Sequence, residues 1–166
     1  MSGMNCYGTK RLNLYHVLGR NSDATADIVG SEQYPEISGM VRFYQTEIGV
    51  LVVTEVRGLP QSDNVCANPV FGYHIHSGIS CSGNMQDAFA DSMTHYNPDD
   101  CTHPYHAGDM PPLFGNDGYA FSVCLTNRFC VCDIVGKTVI IHLKPDDFYS
   151  QPSGDSGTKI ACGVIK

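Results

Sequence analysis

Between positions 77 and 117 the chain runs for about 40 residues without sustained hydrophobic periodicity, and a loop of that length survives inside a compact domain only when something besides its own apolar contacts orders it. A bound metal ion and a covalent crosslink are the usual means. This stretch offers candidates for both: His95, Cys101, His103, His106 and Asp109, with Cys81 near its start. Five of the seven histidines lie between positions 74 and 106. Whatever fold the rest of the chain adopts must hold this long, His-rich excursion.

Around the loop the sequence has the rhythm of short strands. Residues 24–29, 36–45, 49–57, 71–76, 119–125, 137–143 and 161–165 read as strands bounded by Gly, Pro or polar clusters, with a hairpin turn over 46–49. Seventeen Gly and nine Pro among 166 residues disfavour a helical bundle. The expected fold class is therefore all-β. Residues 1–23 carry no clear period and read as an N-terminal extension with a local strand over 12–17, while 24–166 read as one domain.

Charge and hydropathy exclude several function classes. Ten Lys+Arg against 17 Asp+Glu leave a net charge of −7, which argues against nucleic acid as a partner. The apolar runs fall short of the ~20 residues that a membrane helix needs, so no membrane association is expected. Residues 1–20 lack an apolar segment of roughly 7–15 residues followed by a small-residue cleavage site, so the expected location is the cytoplasm. The eight cysteines, at 6, 66, 81, 101, 124, 130, 132 and 162, conflict with a reducing compartment, and their spacing alone fixes no pairing. If Cys130 and Cys132 lie on one strand they share a face; Cys124, Cys130 and Cys132 read as buried thiols.

The histidine spacing points to metal chemistry. His74 and His76 fall on one face of a strand, close enough for two imidazoles to converge on one ion. His95, His103, His106 and Asp109 supply three nitrogens and a carboxylate, a set that suits four-coordinate zinc. His142, alone on an apolar strand, reads as a core histidine unless it lies beside the His74–His76 strand, where it becomes a candidate ligand.

These residues stand in motifs that resemble the copper/zinc superoxide dismutases: Gly72-Tyr73-His74-Ile75-His76, His95-Tyr96-Asn97-Pro98, His106-Ala107-Gly108-Asp109, the run from Gly136 to His142, and Ala161-Cys162-Gly163-Val164-Ile165, in that order. The resemblance spans roughly residues 24–166. It implies a Greek-key β-sandwich or flattened barrel of about eight antiparallel strands with a long metal-binding loop. It further implies copper on His74, His76, His95 and His142, zinc on His95, His103, His106 and Asp109, and thus a bridging role for His95. Asp146 matches the carboxylate that orients one histidine of each site. Cys81 and Cys162 match the family's disulfide. The gaps from His103 to His106 and from His76 to Cys81 are shorter than is usual in the family.

The implied activity is dismutation of superoxide through a Cu(II)/Cu(I) cycle, with zinc ordering the loop and His95 carrying a proton. Because superoxide is an anion and the chain is acidic, a local cation must steer it. Where the family has Arg, this chain has Lys159, which keeps the charge but not the planar fork of donors. The competing expectation is a non-catalytic protein of the same fold that holds copper and zinc. An immunoglobulin-like adhesion sandwich would leave the histidines idle, and the chain has no Trp for its Cys…Trp…Cys signature. Both a homodimer and a monomer are compatible with the resemblance.

Overall fold

The structure, a computed structural model, describes residues 11–64, 66 and 69–166. Its strands are β1 (Ala24–Gly30), β2 (Ser38–Thr46), β3 (Gly49–Arg57), β4 (Val70–Phe71), β5 (Tyr73–His76), β6 (Leu113–Phe114), β7 (Tyr119–Thr126), β8 (Thr138–His142) and β9 (Lys159–Val164). Seven of them form one antiparallel sheet in the order β5-β8-β9-β1-β2-β3-β7, and β4 pairs with β6. The non-consecutive neighbours β5-β8, β9-β1 and β3-β7 mark the crossovers of this curled, all-β half-barrel.

Alternation decides which side is core. Val41 and Phe43 of β2, Val50, Val52 and Val56 of β3, Tyr73 and Ile75 of β5, and Val139 and Ile141 of β8 meet in one buried cluster. The β2–β3 turn forms where the sequence predicts it: Thr46 Oγ1 donates to Gly49 O at 2.7 Å and accepts from Ile48 N–H at 3.2 Å. Gly49 there has φ +133°, a conformation that favours glycine.

Three local expectations are corrected. The stretch expected as a strand over 12–17 is instead a short helix, α1 (Leu14–Leu18). The Asn13 side chain accepts from His16 N–H at 3.1 Å at its start, and Val17 packs on Tyr44, Leu51 and Val53. Cys130 and Cys132 do not share a strand face, because Val131–Ile134 forms a second helix, α2, whose buried side is Val131 and Ile134. Asp133 accepts from the Cys130 N–H at 2.8 Å, leaving both cysteines exposed. Cys124 is only half-buried, and burial pushes its thiol up to about 11. Cys6 lies outside the described residues.

The long loop is ordered by several separate devices. Two of its inner segments are laid against β5: Tyr96 N–H donates to Ile75 O at 2.8 Å, and Ile75 N–H to Gly108 O at 2.9 Å. A covalent tie, the Cys81–Cys162 disulfide, spans 81 residues and joins the loop to β9. Phe89 and Ile140 pack beside it. No helix among the described residues is long and apolar enough to cross a membrane.

A crosslink closing so long a segment removes much of the unfolded chain's freedom, worth about 2–5 kcal/mol when a native bridge is lost. Cys81→Ser with Cys162→Ser should therefore lower the thermal midpoint by on the order of 10 °C. A midpoint in the double variant equal to that of the oxidised wild type would contradict this role for the bridge.

Candidate metal centre

Strands β5 and β8 are buried on both faces. Their inward residues enter the core described above. The outward ones, His74, His76 and His142, lie beneath the long loop. The β8–β9 ladder shifts register between Ile141, which faces Ala161, and His142, which faces Lys159. This bulge ends regular pairing where His142 joins the group and sets Lys159 opposite it.

The hydrogen bonds fix which ring nitrogen carries each proton. His76 Nδ1 lies 2.9 Å from the Met93 carbonyl, and His142 Nδ1 lies 3.1 Å from the Gly157 carbonyl. A carbonyl only accepts, so both Nδ1 atoms donate and both Nε2 atoms present lone pairs. Those two Nε2 atoms face each other at 3.3 Å. His74 Nε2 donates to Asp146 Oδ2 at 2.8 Å and His103 Nε2 donates to Asp146 Oδ1 at 2.9 Å. The remaining nitrogens, His74 Nδ1 and His103 Nδ1, are buried without a hydrogen-bond partner, as is His95 Nε2.

A buried polar atom left unpaired costs about 1–3 kcal/mol, and here several lone pairs converge. Protons do not relieve them. Burial pulls His74 down to about 4, against the opposing hydrogen bond to Asp146. It pulls His142 down to about 3, with the neighbouring His74 acting in the same sense, and it drives His76 well below its ordinary value. These rings are neutral near pH 7, and a cation is what their arrangement accepts.

Two sets of donors are gathered, each within 4.8 Å: His74, His76, His95 and His142, and His95, His103, His106 and Asp109. In the second set, Asp109 Oδ1 lies 2.7 Å from His95 Nδ1 and 3.3 Å from His106 Nδ1. Asp109 Oδ2 lies 3.1 Å from His103 Nδ1, and the His95 and His106 Nδ1 atoms are 3.4 Å apart. Tetrahedral zinc with bonds of about 2.0–2.1 Å holds its ligand atoms about 3.3 Å apart, so this spacing suits zinc. The all-imidazole set suits Cu(II). His95 belongs to both, with Nδ1 toward Asp109 and Nε2 on its other side.

Asp146 and Asp109 stay ionised. Burial acts to raise both carboxyls, but for Asp146 the hydrogen bonds from His74, Phe148 N–H and His103 outweigh it, and for Asp109 the hydrogen bond from His95 leads the opposing effects. Gly154 makes room for this: at φ +69° it packs where a Cβ would collide with the Asp146 carboxylate and come within 2.8 Å of His103 Nε2.

Sequence reasoning missed the supports of the loop. Arg128 Nη1 donates to the carbonyls of Pro104, His106 and Asp109 at 3.1, 3.2 and 3.2 Å. Gln151 accepts from His103 N–H at 3.0 Å and returns a hydrogen bond to His103 O at 2.8 Å. No periodicity or motif marks either residue. Lys159, expected as the steering cation, has its ammonium hydrogen-bonded within the chain: it donates to Asp87 Oδ2 at 2.8 Å, Phe89 O at 3.1 Å and Met93 O at 3.4 Å.

These shifts predict the acid behaviour of the metal-free protein. His74, His76 and His142 have folded pKa values below their ordinary value, so the unfolded chain binds protons that the folded chain refuses. Stability is full above the ordinary histidine range and falls with pH toward the folded values; the depressed Asp109 and Asp146 add a loss at lower pH. The urea midpoint of chelator-stripped protein should fall steadily from about pH 7.5 to about pH 4.5. A midpoint that holds or rises over that range would contradict the neutral-histidine account.

The family model for copper/zinc superoxide dismutase matches residues 37–165. The chain is 31% identical over 161 residues to the copper-zinc superoxide dismutase of Legionella pneumophila, covering 92% of this chain and 93% of that one. It is 30% identical over 158 residues to superoxide dismutase 2 of Aquifex aeolicus, covering 86% of each. In fold it is similar to the Cu/Zn superoxide dismutase from Brucella abortus, with TM-score 0.73 and 22% identity over 87% of this chain and all of that one. It is also similar to a double mutant of a superoxide-dismutase-like protein from Bacillus subtilis, with TM-score 0.68 and 26% identity over 84% and 94%. The chain belongs to the copper/zinc superoxide dismutase family and is an oxidoreductase of that family, with copper and zinc as its metals.

Proposed function

We propose that this chain dismutates superoxide, with copper held by His74, His76, His95 and His142 and zinc by His95, His103, His106 and Asp109. One observation carries the reading: buried histidine side chains, three of them with a ring nitrogen that has no hydrogen-bond partner, converge in two adjoining groups that share His95. Bound copper supplies the electron exchange by which one superoxide is oxidised to oxygen and a second, with two protons, is reduced to hydrogen peroxide, while zinc, which has no redox chemistry, supplies order.

The chain's own residues do the rest. Asp146 orients His74 and His103 together and keeps their Nδ1 atoms aimed inward. The Met93 and Gly157 carbonyls do the same for the Nε2 atoms of His76 and His142. His95 Nε2 is where the chain would hold a proton for the peroxide product. Lys159, opposite His142, is the nearby cation. The cytoplasm belongs to this proposal: the free thiols of Cys66, Cys101, Cys130 and Cys132 are exposed, which suits a reducing compartment, and the Cys162 half of the bridge is buried.

A second reading, a metal-holding protein without turnover, has one observation in its favour: the Lys159 ammonium is already occupied by three internal acceptors. Stopped-flow decay of superoxide separates the two. Protein loaded with one equivalent each of copper and zinc should consume superoxide at up to ~10⁹ M⁻¹s⁻¹, and His142→Ala should lose at least ~100-fold. Decay by the copper- and zinc-loaded protein no faster than that by the protein loaded with zinc alone, with free copper removed from both, would exclude the enzyme reading.

A further inference from the structure

An ammonium group has three N–H donors, and all three of Lys159 are in use. Two go to backbone carbonyls, Phe89 O and Met93 O, which the chain holds in place. The third goes to a side chain, Asp87 Oδ2. The Lys159 side chain is 13% exposed and that of Asp87 is 37% exposed, so the pair sits at the edge of solvent with the carboxylate on the outside.

This ammonium is close to the four-histidine group by two routes. Met93 O accepts both from Lys159 Nζ and from His76 Nδ1, and Lys159 faces His142 across the β8–β9 ladder. Asp87 is built in rather than a passing surface contact. Its Oδ1 accepts from Phe89 N–H at 3.0 Å, its carbonyl accepts from Asn84 N–H at 2.9 Å and Ala90 N–H at 3.1 Å, and its N–H donates to the Asn84 side chain at 3.1 Å. A turn thus presents one carboxylate oxygen to the cation that faces His142.

We propose that Asp87 sets the anion affinity of the four-histidine site by competing with the incoming anion for the third N–H of Lys159. The inference rests on the copper assignment made above. An anion that approaches the site can gain a hydrogen bond from Lys159 only by displacing Asp87 Oδ2, and until then the pair presents no net positive charge. Asp87 is a positioning residue in this account, since it acts through Lys159. No local pattern marks it, because the two partners are 72 residues apart.

The test uses copper- and zinc-loaded protein and azide as the anionic probe, titrated against the visible absorption of Cu(II), alongside superoxide decay over a range of ionic strength. Asp87→Asn keeps the oxygen that accepts from Phe89 N–H and removes the charge; Asp87→Ser is the second variant. Both should bind azide about threefold to tenfold more tightly than wild type and show faster decay at low salt with a steeper fall as salt rises. In a Lys159→Met background the same substitutions should give a clearly smaller gain.

Azide affinity unchanged or weakened by both Asp87 variants would overturn the proposal. So would an equal gain in the Lys159→Met background, which would mark Asp87 as a repelling charge and nothing more. Wild-type protein that fails to consume superoxide, yet binds azide more tightly when Asp87 is replaced, would defeat the enzymatic reading and uphold the competition. Wild-type protein that turns over normally with no azide response to Asp87 would do the reverse.

Discussion

Asp146 accepts hydrogen bonds from His74 Nε2 and His103 Nε2 at the same time, and much of the site's chemistry depends on it. A carboxylate that takes a proton from neither ring leaves the far nitrogen of each as a buried lone pair. Two residues 29 positions apart, one on β5 and one in the long loop, are thereby set in the same tautomer by one anchor. The anchor needs Gly154, since any side chain there would occupy the space of the Asp146 carboxylate. The two donor sets are in this sense one structure, joined by His95 through its two nitrogens and by Asp146 through its two oxygens.

The loop carrying four of these seven donors has no hydrophobic periodicity, and its order comes largely from polar and covalent ties at separate points. The disulfide holds its first part to β9. Backbone hydrogen bonds lay residues 96 and 108 along β5. Arg128 gathers three of its carbonyls from outside, and Gln151 clamps His103. Each hydrogen bond among them is worth little alone. Together they hold four donor side chains at separations that match a metal's ligand sphere, which is how a segment without hydrophobic periodicity can be rigid where rigidity matters.

Most of the strands were legible in the sequence, because alternating side chains on a half-buried strand leave a period of two; residues 24–29 show it. The exceptions have local causes. A cap at Asn13 and a buried Val17 turn the expected strand over 12–17 into a helix. Asp133 does the same at Cys130 by capping α2. The clustering of His and Asp was legible as metal chemistry because those side chains have few other reasons to concentrate in an ordered loop. Which nitrogen of each ring faces inward was not legible, since carbonyls of Met93 and Gly157 decide it. Arg128, Gln151 and Asp87 were also hidden, as each acts on a residue 19 to 72 positions away and leaves no local pattern.

The central claim is that two metal sites share one imidazole. Calorimetric titration of metal-free protein with zinc and then copper tests it most directly, with His95→Ala and His106→Ala as comparisons. The account predicts two equivalents bound by the wild type, both weakened by His95→Ala, and only the zinc step weakened strongly by His106→Ala. A His95→Ala protein that loses affinity for one metal alone would contradict a shared ring.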